Sequence, residues 1–461
     1  MGPGPLADQR IVVGIDARGL AVGGHQQAVL VLGPPRSGKT TSLVVPNVLA
    51  AWGPVLSTST KPDVMAATLG ARLRRGRCWL YDPSGTVPMP DGMTPLRWSP
   101  IDGARSWDDA LLLARALVGS SRPAIGLTEA SHWTERAEAL LAPMLHAAAI
   151  SGDDIATLIA WVNRRDGTAA ASRLGPGTAG DLLAGILATE SRELSGIWST
   201  ASGVLAAYRS DAAMRSAGEP NFDPRVFVTG SDTVYVCASG RHQDLVAPLV
   251  VGLVSDVRAA AFERSAARLA GPLLRAAPAE SMWRDVEPPV LLALDEVANV
   301  APLPDLPDLV SEGGGQGVLT LACLQDLSQA RRRWGVAAEG FGSLFGATVV
   351  LPGIGDVRTL QALSTLCGSE DVRVRSDSRS WLSRGRSRSR TWSTRRQPRL
   401  APDEVARGRP GHGLLVGGGR LPAWTPLPPW WSVPGWDRPL VGRSTKVGAR
   451  PRSPDRSRHL R

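Results

Sequence analysis

Apolar positions in the first hundred residues fall into short continuous runs. AVLVLG at 28–33 reads as a buried strand, TTSLVVPNVLAAW at 40–52 as the helix after it, and GPVLSTST at 53–60 as a second strand. Strand-length apolar runs, bounded by Gly and Pro and separated by helical segments, predict a mostly parallel α/β sheet. From about 104 to 222 the period becomes helical. In HWTERAEALLAPMLHAAA, the residues Trp133, Ala137, Leu140, Leu141, Met144, Leu145 and Ala148 share one helical face. DIATLIAWVNR and GDLLAGILATESRELSGIWSTASGVLAAY continue in the same style, so an all-helical insertion is expected. Strand signals return at TVYVCAS (233–239), VLLALDE (290–296), VLTLAC (318–323) and ATVVLPG (347–353). A helix at 248–266 and a Pro-rich connector at 271–289 lie between the first two.

Composition changes this picture in three places. The 461 residues leave room for two or three domains, and the formal net charge of +10 points to a polyanionic partner, unless it reflects only a genome that writes arginine freely. Nearly all of that surplus sits in one Arg/Ser segment, 373–399, where ten arginines face the single acid Asp377. It reads either as a DNA-contacting element, with Trp381 and Trp392 available to stack on bases, or as a solvated hairpin without a partner. Lysine survives only at Lys39, Lys61 and Lys446, which directs attention to those points. Cys78, Cys237, Cys323 and Cys367 form no CxxC, and the six histidines show no metal-ligand spacing, so a protein-built metal cage is not expected. No window holds 18 consecutive apolar residues, and no membrane span is expected.

The chemistry begins at GPPRSGKT, which matches G-x-x-x-x-G-K-[ST] between a buried strand and a helix. In that reading Gly33, Pro34, Pro35, Arg36, Ser37, Gly38, Lys39, Thr40 and Thr41 bind a nucleotide. Backbone N–H groups and the helix N-terminus face the phosphates. Lys39 acts as a flexible point charge on the β and γ oxygens, a task a planar guanidinium does poorly. Thr40 would ligate Mg²⁺. In PVLLALDE, four apolar residues bury a strand, Asp295 at its tip would hold the Mg²⁺ shell, and Glu296 would polarise an attacking water. Acids at strand ends are common; the P-loop upstream selects the functional reading. Gln325, at the tip of the next strand, is placed to sense the γ-phosphate. Lys61 sits where the second strand ends, and its role stays open between phosphate or DNA contact and a solvated loop.

GPPRSGKTTSLVVPNVL, STSTKPDV, HWTERAEALLAPML, LALDEVANVAPLPDLPDLVSEGGGQGV and LQDLSQARRRWG, in order over about 30–425, resemble the TraG/TraD-type coupling proteins of conjugation and type IV secretion. The resemblance implies a RecA-like P-loop ATPase, related to FtsK translocases, that uses ATP and Mg²⁺ and assembles as a homo-hexamer. It implies single-stranded, relaxase-bound DNA as cargo, delivered to type IV secretion channel proteins. The expected plan is the first part of a nucleotide-binding domain at 1–103, an all-helical domain at 104–222, the second part at 223–429 and a basic Pro/Arg-rich disordered tail at 430–461. Typical members begin with membrane-spanning helices. Here the P-loop starts at residue 33, so membrane contact is expected through a partner or through an anchor missing from the recorded sequence. The expected location is the cytoplasm, at the inner face of the cell membrane. Relatives often carry an arginine where this chain has Gly314, thought to reach a neighbour's γ-phosphate; Arg331, Arg332 and Arg333 are candidates to replace it. An FtsK-like double-stranded DNA pump, and a receptor module that binds ATP but barely hydrolyses it, are the competing readings.

Overall fold

A computed structural model describes residues 9–16, 19–121, 128–274, 287–382 and 385–434. Its centre is a ten-stranded sheet. In chain order the strands of the molecule are β1 (Val12–Asp16), β2 (Gly19–Val22), β3 (Val29–Leu32), β4 (Val55–Ser59), β5 (Cys78–Tyr81), β6 (Met93–Pro95), β7 (Thr233–Cys237), β8 (Val290–Leu294), β9 (Val318–Leu324), β10 (Ala347–Val350), β11 (Ser369–Leu382), β12 (Gly385–Pro398), β13 (His412–Gly417) and β14 (Arg420–Pro426). The sheet order is β14-β13-β10-β3-β9-β8-β4-β7-β5-β6, parallel from β10 to β6, with β13 and β14 added antiparallel at one edge. This is the expected RecA-like α/β architecture, with β5, β6, β13 and β14 beyond the runs read from sequence.

Alternation along the central strands feeds two cores. Leu30 and Leu32 of β3 point into one hydrophobic cluster, and Val29 and Val31 into the other. The same division separates Leu292 and Leu294 from Leu291 and Ala293 in β8. A strand covered on both faces is mostly apolar, which is why the β3 and β8 runs are continuous, although central β4 also buries Ser57, Thr58 and Ser59. One of the two cores extends without a break into the helices between β6 and β7. There the long helix Thr128–Ser151 buries Ala137, Leu140, Leu141, Met144, Leu145 and Ala148 completely, the face read from its period. Residues 435–461, most of the expected disordered tail, and 275–286 of the expected connector lie outside the described residues; Trp430–Ser432 forms a short 3-10 turn.

Among the described residues, one helix segment, Gln243–Ala270, is long and apolar enough to suit a membrane span, although no span was expected. Two-thirds of that window is buried in the fold, with Val250, Val251, Leu253, Val254 and Val257 in the core. Its apolarity is accounted for by packing. All four cysteines are buried and unpaired.

Candidate nucleotide site

Because β3, β9 and β8 run parallel and adjacent, their C-terminal ends share one edge of the sheet. Lys39 and Thr40 follow β3, Gln325 follows β9, and Asp295 and Glu296 follow β8. The strand carrying Gln325 therefore lies between the strands carrying the P-loop and the acidic pair. At the start of the loop, the Gly33 N–H donates to the Leu324 carbonyl at 3.1 Å, fastening the P-loop to the β9 tip.

The P-loop is a tight cradle. A Cβ at Gly33 would come within 2.6 Å of Ser37 Oγ and 2.8 Å of Leu351 Cβ, so only glycine fits. Gly38 has φ of +97° and Arg36 of +64°, the left-handed turns that aim successive N–H groups into one concavity. Ser37 Oγ is buried within it without a hydrogen-bond partner. Lys39 is buried, and its Nζ donates to the carbonyls of Gly33 at 2.5 Å and Pro34 at 3.0 Å, folded over the rim of its own loop. Across the cleft Thr40 Oγ1 donates to Asp295 Oδ2 at 2.7 Å. Burial pushes the Asp295 carboxyl up to about 6; the Thr40 bond opposes this shift and the neighbouring Glu296 adds to it.

These residues fit a nucleotide and a hard cation. A hydroxyl and one carboxylate at hydrogen-bond distance are the usual protein share of a Mg²⁺ shell, whose remaining positions go to phosphates and water. Among the described residues there is no cluster of three or more His, Cys, Asp or Glu that could hold a metal ion. Glu296 leaves the strand in the left-handed region, φ +55°, an unfavourable conformation of about 1–2 kcal/mol for a residue with a Cβ. Its Oε2 accepts from Asn299 Nδ2 at 3.0 Å, and its carbonyl accepts from the N–H groups of Asn299 and Val300. Gln325 anchors its N–H on Gln329 Oε1 at 2.8 Å, while its side-chain amide has no partner among the described residues. Lys61 is exposed just past β4, on the same sheet edge.

Two supporting residues escaped the sequence reading. Thr58 Oγ1 donates to the Asp295 carbonyl at 3.1 Å and fixes the strand tip, and Asn299 holds the Glu296 carboxylate. A hydroxyl at the end of a neighbouring strand and an amide three residues after an acid were the only signals in the sequence. The candidate arginines separate clearly. Arg331 pairs with Asp356 at 2.5 Å, Arg333 is largely buried and donates to the Ser120 carbonyl, and Arg332 alone is exposed. The loop SEGGGQG lies at the opposite end of β9 from Gln325, about 23 Å away along seven strand residues. At Gly314 a Cβ would fall 1.8 Å from the Gln26 carbonyl oxygen. The position is closed by packing. In the Arg/Ser segment Arg384 lies outside the described residues, as do the side chains of Arg379, Trp381, Arg386 and Arg388.

Residues 289–409 match the family described as the TraM recognition site of TraD and TraG. The chain is 24% identical over 413 residues to the conjugal transfer protein TraG of Escherichia coli, covering 82% of this chain and 61% of that protein. It thus spans about three-fifths of the relative's length. A probable conjugal transfer protein TraG of Sinorhizobium fredii is 28% identical over 141 residues, 30% of this chain and 22% of that one. Among solved structures, the bacterial conjugative coupling protein TrwB in an unbound form superposes with a TM-score of 0.65 at 19% identity, over 90% of this chain and 88% of that one. TrwB in complex with a non-hydrolysable ATP analogue gives 0.64 at 19% identity, over 88% and 86%. The family match, the curated relatives and the shared RecA-like fold place this chain among the relatives of the TraG/TraD-type coupling proteins.

Proposed function

We propose that the chain is the coupling ATPase of a conjugative DNA-transfer system, hydrolysing ATP to move relaxase-bound DNA toward a type IV secretion channel. The observation that carries this reading is the Thr40–Asp295 hydrogen bond, which joins the P-loop to the acidic strand tip in the arrangement a nucleotide-bound Mg²⁺ requires. ATP with Mg²⁺ supplies the bond whose hydrolysis drives the work. The chain's own residues do the rest. Backbone N–H groups of 33–39 cradle phosphates, Lys39 turns from its loop carbonyls to the phosphate oxygens, Glu296 orients and deprotonates water, and Gln325 reports the phosphate to β9. The crystallised relative TrwB has been captured with ADP and Mg²⁺, which supports the cofactor pair.

The protein would act as a homo-hexamer at the inner face of the cell membrane, held there by a partner or by a segment outside this sequence. Region 289–409, which matches the TraM recognition family, supports contact with the relaxosome. The test is the ATP turnover of the purified chain, with and without single- and double-stranded DNA, beside Lys39→Ala. Single-strand-stimulated turnover lost in the variant supports the coupling ATPase. Stimulation by duplex alone favours a double-stranded pump, and nucleotide binding without turnover favours a receptor.

A further inference from the structure

The Arg/Ser segment forms a ribbon of two 14-residue strands, β11 and β12, about 45 Å long and paired only with each other. An isolated two-stranded ribbon is marginal in water, and this one has no apolar core of its own. Its register sorts the charge by side. Asp371 pairs with Arg396, Arg373 with Thr394, Arg375 with Trp392, Asp377 with Arg390, Arg379 with Arg388 and Trp381 with Arg386. Alternation puts these pairs on one side of the ribbon. Among the residues whose side chains are described, that side takes Arg373, Arg375, Arg390 and Arg396, together with Trp392. The pairs between them, among the described side chains, put Ser376, Thr391 and Ser393 on the other side beside Val372, Val374 and Arg395.

We propose that this ribbon is a one-sided arm whose arginine–tryptophan side holds the sugar–phosphate backbone of single-stranded nucleic acid and stacks its unpaired bases. The inference deepens the proposed function and rests on DNA being the cargo. Asp377 bonds Arg375 at 2.7 Å and lies 3.7 Å from Arg390, which keeps the mid-arm guanidinium groups together. Arg373 and Arg396 are exposed and make no ion pair among the described residues. Trp392 is 64% exposed and shares the arginine side, the combination of cationic track and aromatic platform that suits unpaired bases. A lipid surface fits less well, because an interfacial element needs a continuous apolar side and the described part of this ribbon's second side sets only Val372 and Val374 among Ser376, Thr391, Ser393 and Arg395. The arm grows from helix Val357–Leu366, whose first turn is tied to the helix that follows Gln325, Leu327–Trp334: Leu327 N–H donates to Thr359 Oγ1 at 3.1 Å, and Arg331 pairs with Asp356. Strand binding and the nucleotide site thus share one mechanical link.

The experiment measures anisotropy of labelled oligo-dT, duplex DNA and anionic vesicles with the full chain across a salt series. Replacing Arg373, Arg375, Arg390 and Arg396 by serine should weaken oligo-dT binding about 100-fold or more near 0.1 M salt. It should also flatten the log–log salt slope by about 3, at about 0.7 for each phosphate no longer neutralised. A side-swap variant, R375S with S376R and R390T with T391R, keeps composition and net charge yet should lose affinity about tenfold. Trp392→Ala should weaken oligo-dT about tenfold and leave duplex binding unchanged. Wild-type binding by the side-swap or the four-serine variant overturns the proposal. So does equal or tighter binding of duplex or vesicles with no effect of Trp392→Ala. Unchanged melting temperatures show that the core of each variant is folded, and an unchanged far-UV circular dichroism spectrum shows that the ribbon is. Basal ATP turnover separates the two readings: if Lys39→Ala abolishes it while arm variants bind oligo-dT normally, only the arm falls, and if Lys39→Ala leaves turnover intact, only the motor falls.

Discussion

Thr40 and Asp295, 255 residues apart in sequence, meet through a 2.7 Å hydrogen bond at the edge of the sheet. Asp295 is almost wholly buried, and that burial lifts its carboxyl to about 6. The group therefore holds its proton more tightly folded than unfolded, where a carboxyl of this kind titrates near 4. Its contribution to stability is full below pH 4 and is lost as pH rises through 6. At neutral pH the buried charge is a standing penalty of up to about 3 kcal/mol.

Asp295→Asn should accordingly raise the melting temperature at pH 7.5 and change it little at pH 4, while abolishing Mg²⁺-dependent hydrolysis. Thermal melts at the two pH values check this; an equal shift at both would show that burial of the charge is not the cause. For the same reason Mg²⁺ affinity should fall as pH drops below about 6, since the ligand must be deprotonated.

Gly314 and Gly315 make a contrasting pair. A Cβ at Gly314 collides with the Gln26 carbonyl, whereas nothing lies within 4 Å of one at Gly315. Gly314→Ala should destabilise by about 1–3 kcal/mol from overpacking, while Gly315→Ala should be within about 0.5 kcal/mol of wild type. Denaturant midpoints at constant slope measure both. Gly314→Arg should unfold this loop and yield no gain in turnover.

The three consecutive arginines after Gln325 have different roles open to them. Arg331 and Arg333 are committed to Asp356 and to the Ser120 carbonyl, and burial lowers the Arg333 guanidinium to about 10. Arg331→Ala and Arg333→Ala should each destabilise the protein by about 1–3 kcal/mol. Arg332→Ala should leave the melting temperature unchanged. If Arg332 serves a neighbour's phosphate, its loss should slow turnover at least 100-fold in the assembled ring and not in the monomer.

Arg72 is fully buried. It donates to Thr233 Oγ1 at 2.6 Å and to the carbonyls of Ala51, Gly53 and Ser231 at 2.5, 2.9 and 2.9 Å. Arg72→Ala strands those acceptors and should cost about 3–5 kcal/mol of stability, against less than 1 for the exposed Arg74. Chemical denaturation distinguishes the two, with no change in nucleotide affinity expected once folded.

Legibility followed the range of the interactions. Gly33–Thr40 was readable as a candidate because a phosphate cradle is built from consecutive residues, and VLVL and VLLAL because a strand covered on both faces is mostly apolar. Arg72 and Asn299 were not readable, since a charged residue on an amphipathic helix and an amide after an acid look like solvated surface until their partners are known. The span Gln243–Ala270 was strongly apolar for a reason its own sequence does not contain: both the sheet and the helical block pack on it. The strands of the Arg/Ser ribbon hold only a few apolar residues, Val372, Val374, Trp381, Leu382 and Trp392, so charge rather than core decided how that segment was read.

By itself the sequence determined the residue types at the nucleotide site, because lysine, hydroxyl and paired acids are demanded by phosphate and cation chemistry at short, fixed spacings. The tertiary structure decided which of them meet. It placed β9 between β3 and β8, closed Gly314 against Gln26, committed Arg331 and Arg333 to the fold, and set Arg373, Arg375, Arg390 and Arg396 on one side of the ribbon. Strand order and register are set by packing between segments hundreds of residues apart, and no local periodicity encodes them.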